Sequence, residues 1–455
     1  MKVHRSQSVR RVKVTTDGEG LVSHAGAALL SELADRSGLT RAMSVAMGDC
    51  GISWHTHDPG VVLTHLAVAI ADGADCLSAL AVLRNQEALF GPVASYATAW
   101  RAVGAVASVE LRGIDVARAA ARAAVWASGG APDSVTLDFD ATLVDAHSDK
   151  QDAAPTYKRG FGFHPLGVWC DETNEALAAM LRPGNAGANT AADHVALLDA
   201  ALAQLPPQWR AGHARGDDAA DVVHPIVARA DPAGATHDFV DALVERNIGY
   251  SIGFDVDGRV RDALLLAQEE DWVPAVEADG SRRPGAWVIE LSDLVDLSTW
   301  PPGARLICRR ERPHPGAQLS LFDIGEGFRH TCFLTDSPGE APPLELRQRG
   351  HPRVEDRVRC AKACGWRNLP FEDFVSNQAW LAMSMVGQDL LAWTAMVCLD
   401  GQLARAEPAT LRYRFLHVAA RIARRGRDLI LRIDATWPWR HPLDAAFTRL
   451  RATLC

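Results

Sequence analysis

From Ala25 to about Gly130, apolar residues recur three and four positions apart, as in Ala27, Leu30 and Leu33 and in Val62, Leu66, Val68 and Ile70. That is the period of helices with one buried face. The segment 55–60 ends in Asp58-Pro59-Gly60, a turn that opens the next helix, and Gly91-Pro92 breaks the pattern before a helix carrying Trp100 and Val103. Residues 1–130 are therefore expected to form a helical region. At Ala131-Pro132-Asp133 the period shortens to two. Within Ser134–Ala146, Leu137, Phe139, Ala141 and Leu143 alternate with Asp138, Asp140 and Thr142. Further strands are predicted over Leu166–Cys170, Glu175–Leu181, Pro225–Ala230 and Tyr250–Phe254, with helices over Thr190–Leu205 and Thr236–Arg246. This succession predicts an α/β unit with a mixed sheet over 131–257. Residues 258–345 read as a β-rich insertion of short strands (Trp287–Leu291, Arg305–Arg310, Gln318–Phe322, His330–Leu334) separated by Gly and Pro. From His351 the pattern is helical again, through Phe374–Cys398 and Thr410–Arg425. The last core helices fall in 346–398 and a helical C-terminal region in 399–455.

Composition narrows the class. A chain of 455 residues that is 48% hydrophobic and 23% charged has room for two or three domains and is neither disordered nor collagen-like. Its longest apolar stretches are shorter or more interrupted than the ~20 residues of a bilayer span. The charged N-terminus has no apolar run behind it, unlike a signal peptide. Nine cysteines without a CxxC pair fit a reduced, cytoplasmic protein. The formal charge of −9 is unevenly spread. Residues 1–13 hold Lys2, Arg5, Arg10, Arg11 and Lys13 without an acid, and residues 401–455 hold eleven arginines against Glu407, Asp428, Asp434 and Asp444. Basic ends around an acidic middle suit a protein that grips phosphates and reserves carboxylates for another task.

Three acids stand out. Asp140 lies mid-strand opposite the apolar set, where an aspartate is disfavoured unless its charge meets a partner or a metal. Asp231 closes an apolar strand, so it projects from a sheet edge. Glu355, Arg359 and Lys362 fall at i, i+4 and i+7 on one polar face, behind an apolar stripe of Val354, Val358 and Ala361. From pattern alone, a turn aspartate and a solvated ladder explain these residues equally well.

The blocks LDFDATLVDAHSDK (137–150), APTYKRGFGFHPLGVWCD (154–171), LRPGNAGANTAADH (181–194), RADPAGATHDF (229–239) and EDRVRCAKACGWRNLPFEDFVSNQAWL (355–381) carry a resemblance. In this order they resemble bacterial insertion-sequence transposases of the DDE type, in the family named after insertion sequence 1380. The resemblance implies an α/β, ribonuclease-H-like catalytic core with a β-rich insertion, flanked by helical N- and C-terminal regions. By motif position its three metal-binding carboxylates are Asp140, Asp231 and Glu355. Lys362 matches the lysine of the superfamily's Tyr, Arg, Glu, Lys signature, while His351 and Gln348 replace the Arg and the Tyr. Lys362, Arg359 and His351 are then the expected phosphate contacts, and Asp138, beside Asp140, is the rival for the first assignment.

The implied activity is cleavage at element ends and joining of the freed 3′-hydroxyls to target DNA. Such chemistry uses two Mg²⁺ ions, with Mn²⁺ as a substitute, one activating the attacking oxygen and one stabilising the leaving oxygen. The implied partners are double-stranded DNA, both terminal repeats and target, and a second copy of the chain assembled on it. The N-terminal helices, including a helix-turn-helix pattern at Leu29–Ala46, and the basic C-terminal helices are the candidate DNA readers. Trp272, Trp287 and Trp300 in the insertion are either base-holding or core residues. Gln318–Phe322 (QLSLF) resembles the pentapeptide that docks on the replication sliding clamp, and equally fits one strand of a hairpin. The departures at Gln348 and His351 leave open a DNA-binding relic without catalysis, and a nuclease that cuts without joining is the other alternative.

Overall fold

The protein is described here by a computed structural model covering residues 13–51, 56–426 and 428–454. The basic stretch up to Val12 and His55 of the 55–60 turn lie outside the described residues. The N-terminal region is helical as its periodicity predicts. Helix α1 (Ala27–Arg36) and α2 (Leu39–Ala46) are joined through Gly38, whose φ of 79° is the left-handed conformation a glycine adopts without steric cost. Asp58 caps α3 (Pro59–Ala71) by accepting from Val61 N at 2.9 Å, with Pro59 in the first turn. Helix α3 abuts α2 because Gly60 faces the Met43 backbone, where a Cβ would lie 2.3 Å from Met43 C. Helices α4 (Tyr96–Gly104) and α5 (Ser108–Val125) complete this layer.

The centre is a nine-stranded mixed sheet. Its strands are β2 (Val135–Ala141), β3 (Leu166–Cys170), β4 (Ala176–Met180), β5 (Ile226–Ala230), β6 (Gly249–Phe254), β7 (Val273–Val276), β8 (Arg282–Glu290), β9 (Arg305–Glu311) and β10 (Arg329–Thr335), in the spatial order β7-β8-β9-β10-β6-β5-β2-β3-β4. Only β2, β5 and β6 run parallel to one another; the remaining pairs are antiparallel. Helices α6 (Ala191–Gln204) and α7 (His237–Val244) cover the face onto which Phe139 points, its ring 5.1 Å from that of Phe239. The opposite face receives α9 (Arg353–Ala361) and α10 (Phe374–Cys398), which follow α8 (Ala341–Gln348). Both faces of β2 are thus covered, which is why Thr136 and Asp138 are buried along with Leu137 and Phe139.

Helix α10 is long and apolar enough to pass for a bilayer span, but most of it is buried within the protein. Its Asp389, fully buried, accepts from Arg118 and Arg122 of α5, each at 2.9 Å, and Arg122 also meets Glu175 at 2.8 Å. That network bolts the N-terminal helices to the sheet.

The β-rich segment 258–345 supplies β7 to β10, which extend the central sheet beyond β6. Two expectations change. Gln318–Phe322 is not a strand. Ser320 caps a short helix, Leu321–Glu326, by accepting from Asp323 N at 3.1 Å, and that local cap outweighs the strand propensity of Leu and Phe. The C-terminal region is not wholly helical either. Helical structure stops near Leu416, and β11 (Ala420–Arg425) and β12 (Asp428–Ile433) form a hairpin paired with β1 (Leu21–Val22) before α11 (Arg440–Thr453). Its alternation of Ile422, Leu429, Leu431 and Ile433 with arginines has a period of two and was legible as a strand pair.

Candidate active site

Strands β2 and β5 are parallel neighbours in the register Asp138↔Arg229. Two residues on, Asp140 near the end of β2 comes level with Asp231, the first residue beyond β5. Both therefore stand at the carboxyl ends of adjacent parallel strands, where crevices open in α/β sheets. Asp231 caps the following turn, accepting from Ala233 N at 3.0 Å. Glu355 lies in the first turn of α9, which packs on β2. Asp231 and Glu355 are close enough to act on the charge of Asp140. Burial first, and then these two acids, push its carboxyl up to about 6, against an opposing pull from His351.

None of the three acids makes an ion pair among the described residues. Asp231 and Glu355 are exposed and Asp140 is half-buried. This is a set of hard oxygen donors whose charges bear on Asp140, with His351 and Lys362 near enough to act on it but no ion pair among the described residues. It fits a hard divalent cation, which the carboxylates of Asp140, Asp231 and Glu355 would hold.

Asp138 is a different kind of residue. It is buried and fully engaged: Arg229 Nε and Nη2 donate to its two oxygens at 2.6 Å each, and His351 Nδ1 lies 3.2 Å from Oδ1. Arg229 also reaches Asp171 at 2.9 Å and donates to the Arg347 carbonyl at 2.7 Å. Asp138 is thus buried and held by protein partners, whereas Asp140 is half-buried and forms no ion pair among the described residues. Gly350 makes room for this clamp, since a Cβ there would sit 2.6 Å from Arg229 Nη1.

The remaining candidates separate. Lys362, half-buried just beyond α9, faces Asp145 and Asp140 across its own burial penalty, which holds its ammonium below the usual range. Arg359, on the same helical face by sequence, is drawn away to Glu407 at 2.7 Å and Asp356 at 3.0 Å. His351 points inward to Asp138 instead of outward to a phosphate. Gln348 is bonded to Ser251 Oγ at 2.7 Å and sits 3.4 Å from the Ala230 carbonyl, immediately before Asp231. The two departures from the signature thus brace the strand ends that carry the acids. Arg229 was missed in the sequence reading, although an arginine inside the apolar run Pro225–Ala230 demands a buried acid partner.

The three tryptophans of the insertion are packed. Arg310 lies over Trp272 at 4.3 Å and over Trp287 at 5.3 Å, and Trp300 meets His237 at 4.1 Å. The tightest grouping of ligand-type atoms among the described residues lies elsewhere, in His24, Asp72 and His417, all within 4.8 Å of one another. His24 Nδ1 is bonded to Asp72 Oδ2 at 2.6 Å and His417 Nε2 to the Asp72 carbonyl at 2.9 Å, while Asp72 Oδ1 has no hydrogen-bond partner. They staple the chain ends to the end of α3.

A mixed sheet thus carries, at the carboxyl ends of its parallel strands, acids without an ion pair among the described residues, a donor set that would suit a divalent cation. Residues 4–455 match the family model described as Transposase DDE domain group 1, and the chain belongs to that family. No curated protein matches it. A cryo-EM structure of a piggyBac transposase synaptic complex with hairpin DNA is similar at 10% identity, with a TM-score of 0.41, over 86% of this chain and 77% of that chain.

Proposed function

We propose that this protein is a bacterial insertion-sequence transposase, of the family named after insertion sequence 1380, with a ribonuclease-H-like core. It cuts duplex DNA at the element's ends and joins the 3′-hydroxyls to target DNA. Asp140, Asp231 and Glu355 are the metal-binding carboxylates. Two Mg²⁺ ions, or Mn²⁺ in their place, would activate the attacking oxygen and offset charge on the leaving one. The chain's own part is to hold those acids in register. The Arg229–Asp138–His351 clamp fixes the end of β2, Gln348 fixes the end of β5, and Lys362 holds a phosphate beside Asp140.

The observation that supports this reading is that Asp231 and Glu355, distant in sequence, both act on the charge of Asp140 while none of the three forms an ion pair among the described residues, in a chain of the DDE transposase family. The protein works on two DNA ends as a dimer assembled on them, in the cytoplasm and on the nucleoid. Docking on the sliding clamp belongs to the same proposal: Leu321 is 90% exposed, while Phe322 packs against His330 at 5.2 Å and must turn outward to bind. Unchanged clamp affinity in Leu321→Ala/Phe322→Ala would remove that part.

The deciding experiment incubates the protein with element-end duplex and Mg²⁺ or Mn²⁺, comparing Asp140→Asn, Asp231→Asn and Glu355→Gln with the parent. Each should lose cleavage by a factor on the order of 10³ or more, since each removes several kcal/mol of charge stabilisation. Variants that cleave like the parent would end the assignment. A strand-transfer assay separates a transposase from a nuclease that only cuts. A parent that binds ends but never nicks them is the relic.

A further inference from the structure

Strands β11 and β12 carry Arg421, Arg424, Arg425 and Arg432 against Asp428 as their one acid. Their register sets Arg421 directly opposite Arg432, on the face shared with Ala423, Ile430 and, at the far end, Arg425 opposite Asp428. The reverse face, with Ala420, Ile422, Leu431 and Ile433, packs against the core and holds the ribbon in place. Like charges directly opposite on a strand pair destabilise it, and among the described residues no acid pairs with Arg421 or Arg432. Arg421, Arg424, Arg425 and Arg432 are all exposed and make no ion pair among the described residues.

Other arginines of this region are engaged. Arg412 donates to the Ala71 carbonyl at 2.8 Å, Arg414 lies over Trp439 at 5.0 Å, Arg449 pairs with Asp400, and Arg451 pairs with Glu32 at 2.7 Å. The nearby Asp434 is held by Thr436 N at 2.7 Å and Oγ1 at 2.8 Å. Charges placed on an edge strand to deter aggregation would account for Arg432 on β12, but not for Arg421 on the interior strand β11.

We propose that this ribbon is a second DNA-binding surface, distinct from the acidic centre, and that its exposed arginines contact the phosphates of duplex DNA. A polyanion removes the Arg421–Arg432 repulsion. It also gives a chain of net charge −9 a local foothold on an anionic partner. The ligand class rests on the transposase reading; the surface rests on the register and on the missing partners. Two-stranded ribbons are an established way of presenting side chains to a duplex.

The test measures binding of the full-length protein to a labelled duplex by anisotropy across a KCl series, for the parent, Arg421→Gln/Arg432→Gln and Arg421→Lys/Arg432→Lys. Each phosphate contact adds about 0.9 to the salt slope. The Gln pair should lower that slope by about 2 on end and unrelated duplexes alike, and the Lys pair should keep it. An unchanged slope in the Gln pair overturns the proposal. So does an equal loss in both pairs, which would point to damage rather than charge, or loss of binding to phosphatidylserine vesicles with the duplex slope intact. Failure of the catalytic reading is read separately, from cleavage.

Discussion

The protein contains two groups of acids held in opposite ways. At the junction of α5, β4 and α10, Asp389 and Glu175 are fully buried, and Arg118 and Arg122 answer their charges at 2.8 to 2.9 Å. Trp126 Nε1 donates to Glu175 at 2.9 Å, so little hydrogen-bonding capacity is left over. At the ends of β2 and β5, Asp140, Asp231 and Glu355 face one another with no arginine or lysine paired to them. The first group is complete and rigid and has no chemistry to offer. The second is electrostatically unfinished, which costs stability and leaves room for a cation. Between them lies Asp138, only two residues from Asp140 on the same face but saturated like Asp389. The lesson is that the partners of an acid, more than its burial, separate a structural role from a functional one.

The largest effects should come from exchanging these situations. Asp389→Ala takes from Arg118 its buried counter-charge and leaves Arg122 with Glu175 alone, and should destabilise the protein by about 3–5 kcal/mol, measured by urea unfolding. Asp231→Asn and Glu355→Gln should leave stability unchanged or raise it while removing cleavage. If Asp389→Ala were tolerated as easily, the distinction between the two groups would fail.

Acidity sharpens the same contrast. The folded-state pKa of Asp140, about 6, lies above its ordinary 3.8, so folding disfavours the ionised form. The stability this carboxyl contributes is full below about 4 and is lost as pH rises through 6. Across that window the parent should lose roughly 1 kcal/mol per pH unit relative to Asp140→Asn. A divalent ion takes the proton's place above it. Mg²⁺ or Mn²⁺ should therefore raise the melting temperature at pH 8 more than at pH 5.5, and Asp140→Asn should abolish the difference. A metal response independent of pH and of Asp140 would contradict the assigned ligand set.

Much of this was legible before the fold. The period-two alternation of Ser134–Ala146 placed Asp138 and Asp140 together on one face, and the apolar run ending at Ala230 placed Asp231 at a strand end. Pattern could not distinguish Asp138 from Asp140, because the difference lies in Arg229, which reaches β2 only through the parallel pairing of β5. Arg359 shows the same limit: helical spacing aligned it with Glu355, but Glu407, forty-eight residues on, determines where it points. The terminal hairpin reads as a continuation of the preceding helix only if its period-two alternation is passed over, and Gln318–Phe322 reads as a strand because the cap at Ser320 is a local hydrogen bond that propensity does not weigh.

The braces behind the acids should give a smaller effect. Residues that orient metal-holding groups typically contribute 10- to 100-fold to affinity or activity. His351→Ala and Gln348→Ala are expected to reduce metal-dependent cleavage by that range and to raise the Mg²⁺ concentration needed for half-maximal rate. His351→Asn, which can still donate to Asp138, should recover part of the loss. If His351 contacted phosphate instead, its loss would weaken DNA binding and leave the Mg²⁺ requirement unchanged.

The smallest effect is expected at the staple of His24, Asp72 and His417, where an acid is answered by groups whose charge depends on pH. The hydrogen bond from Asp72 raises the pKa of His417 above the ordinary histidine value, against its partial burial. A proton held more tightly in the folded state stabilises that state fully below about 6.5, and the contribution disappears as pH rises through the shifted pKa. Asp72 closes the carboxyl end of α3, where the helix dipole also favours a positive charge. The melting temperature of the parent should therefore fall relative to His417→Gln between pH 6 and 8.5. Parallel pH curves for parent and variant would show that the staple acts through shape alone.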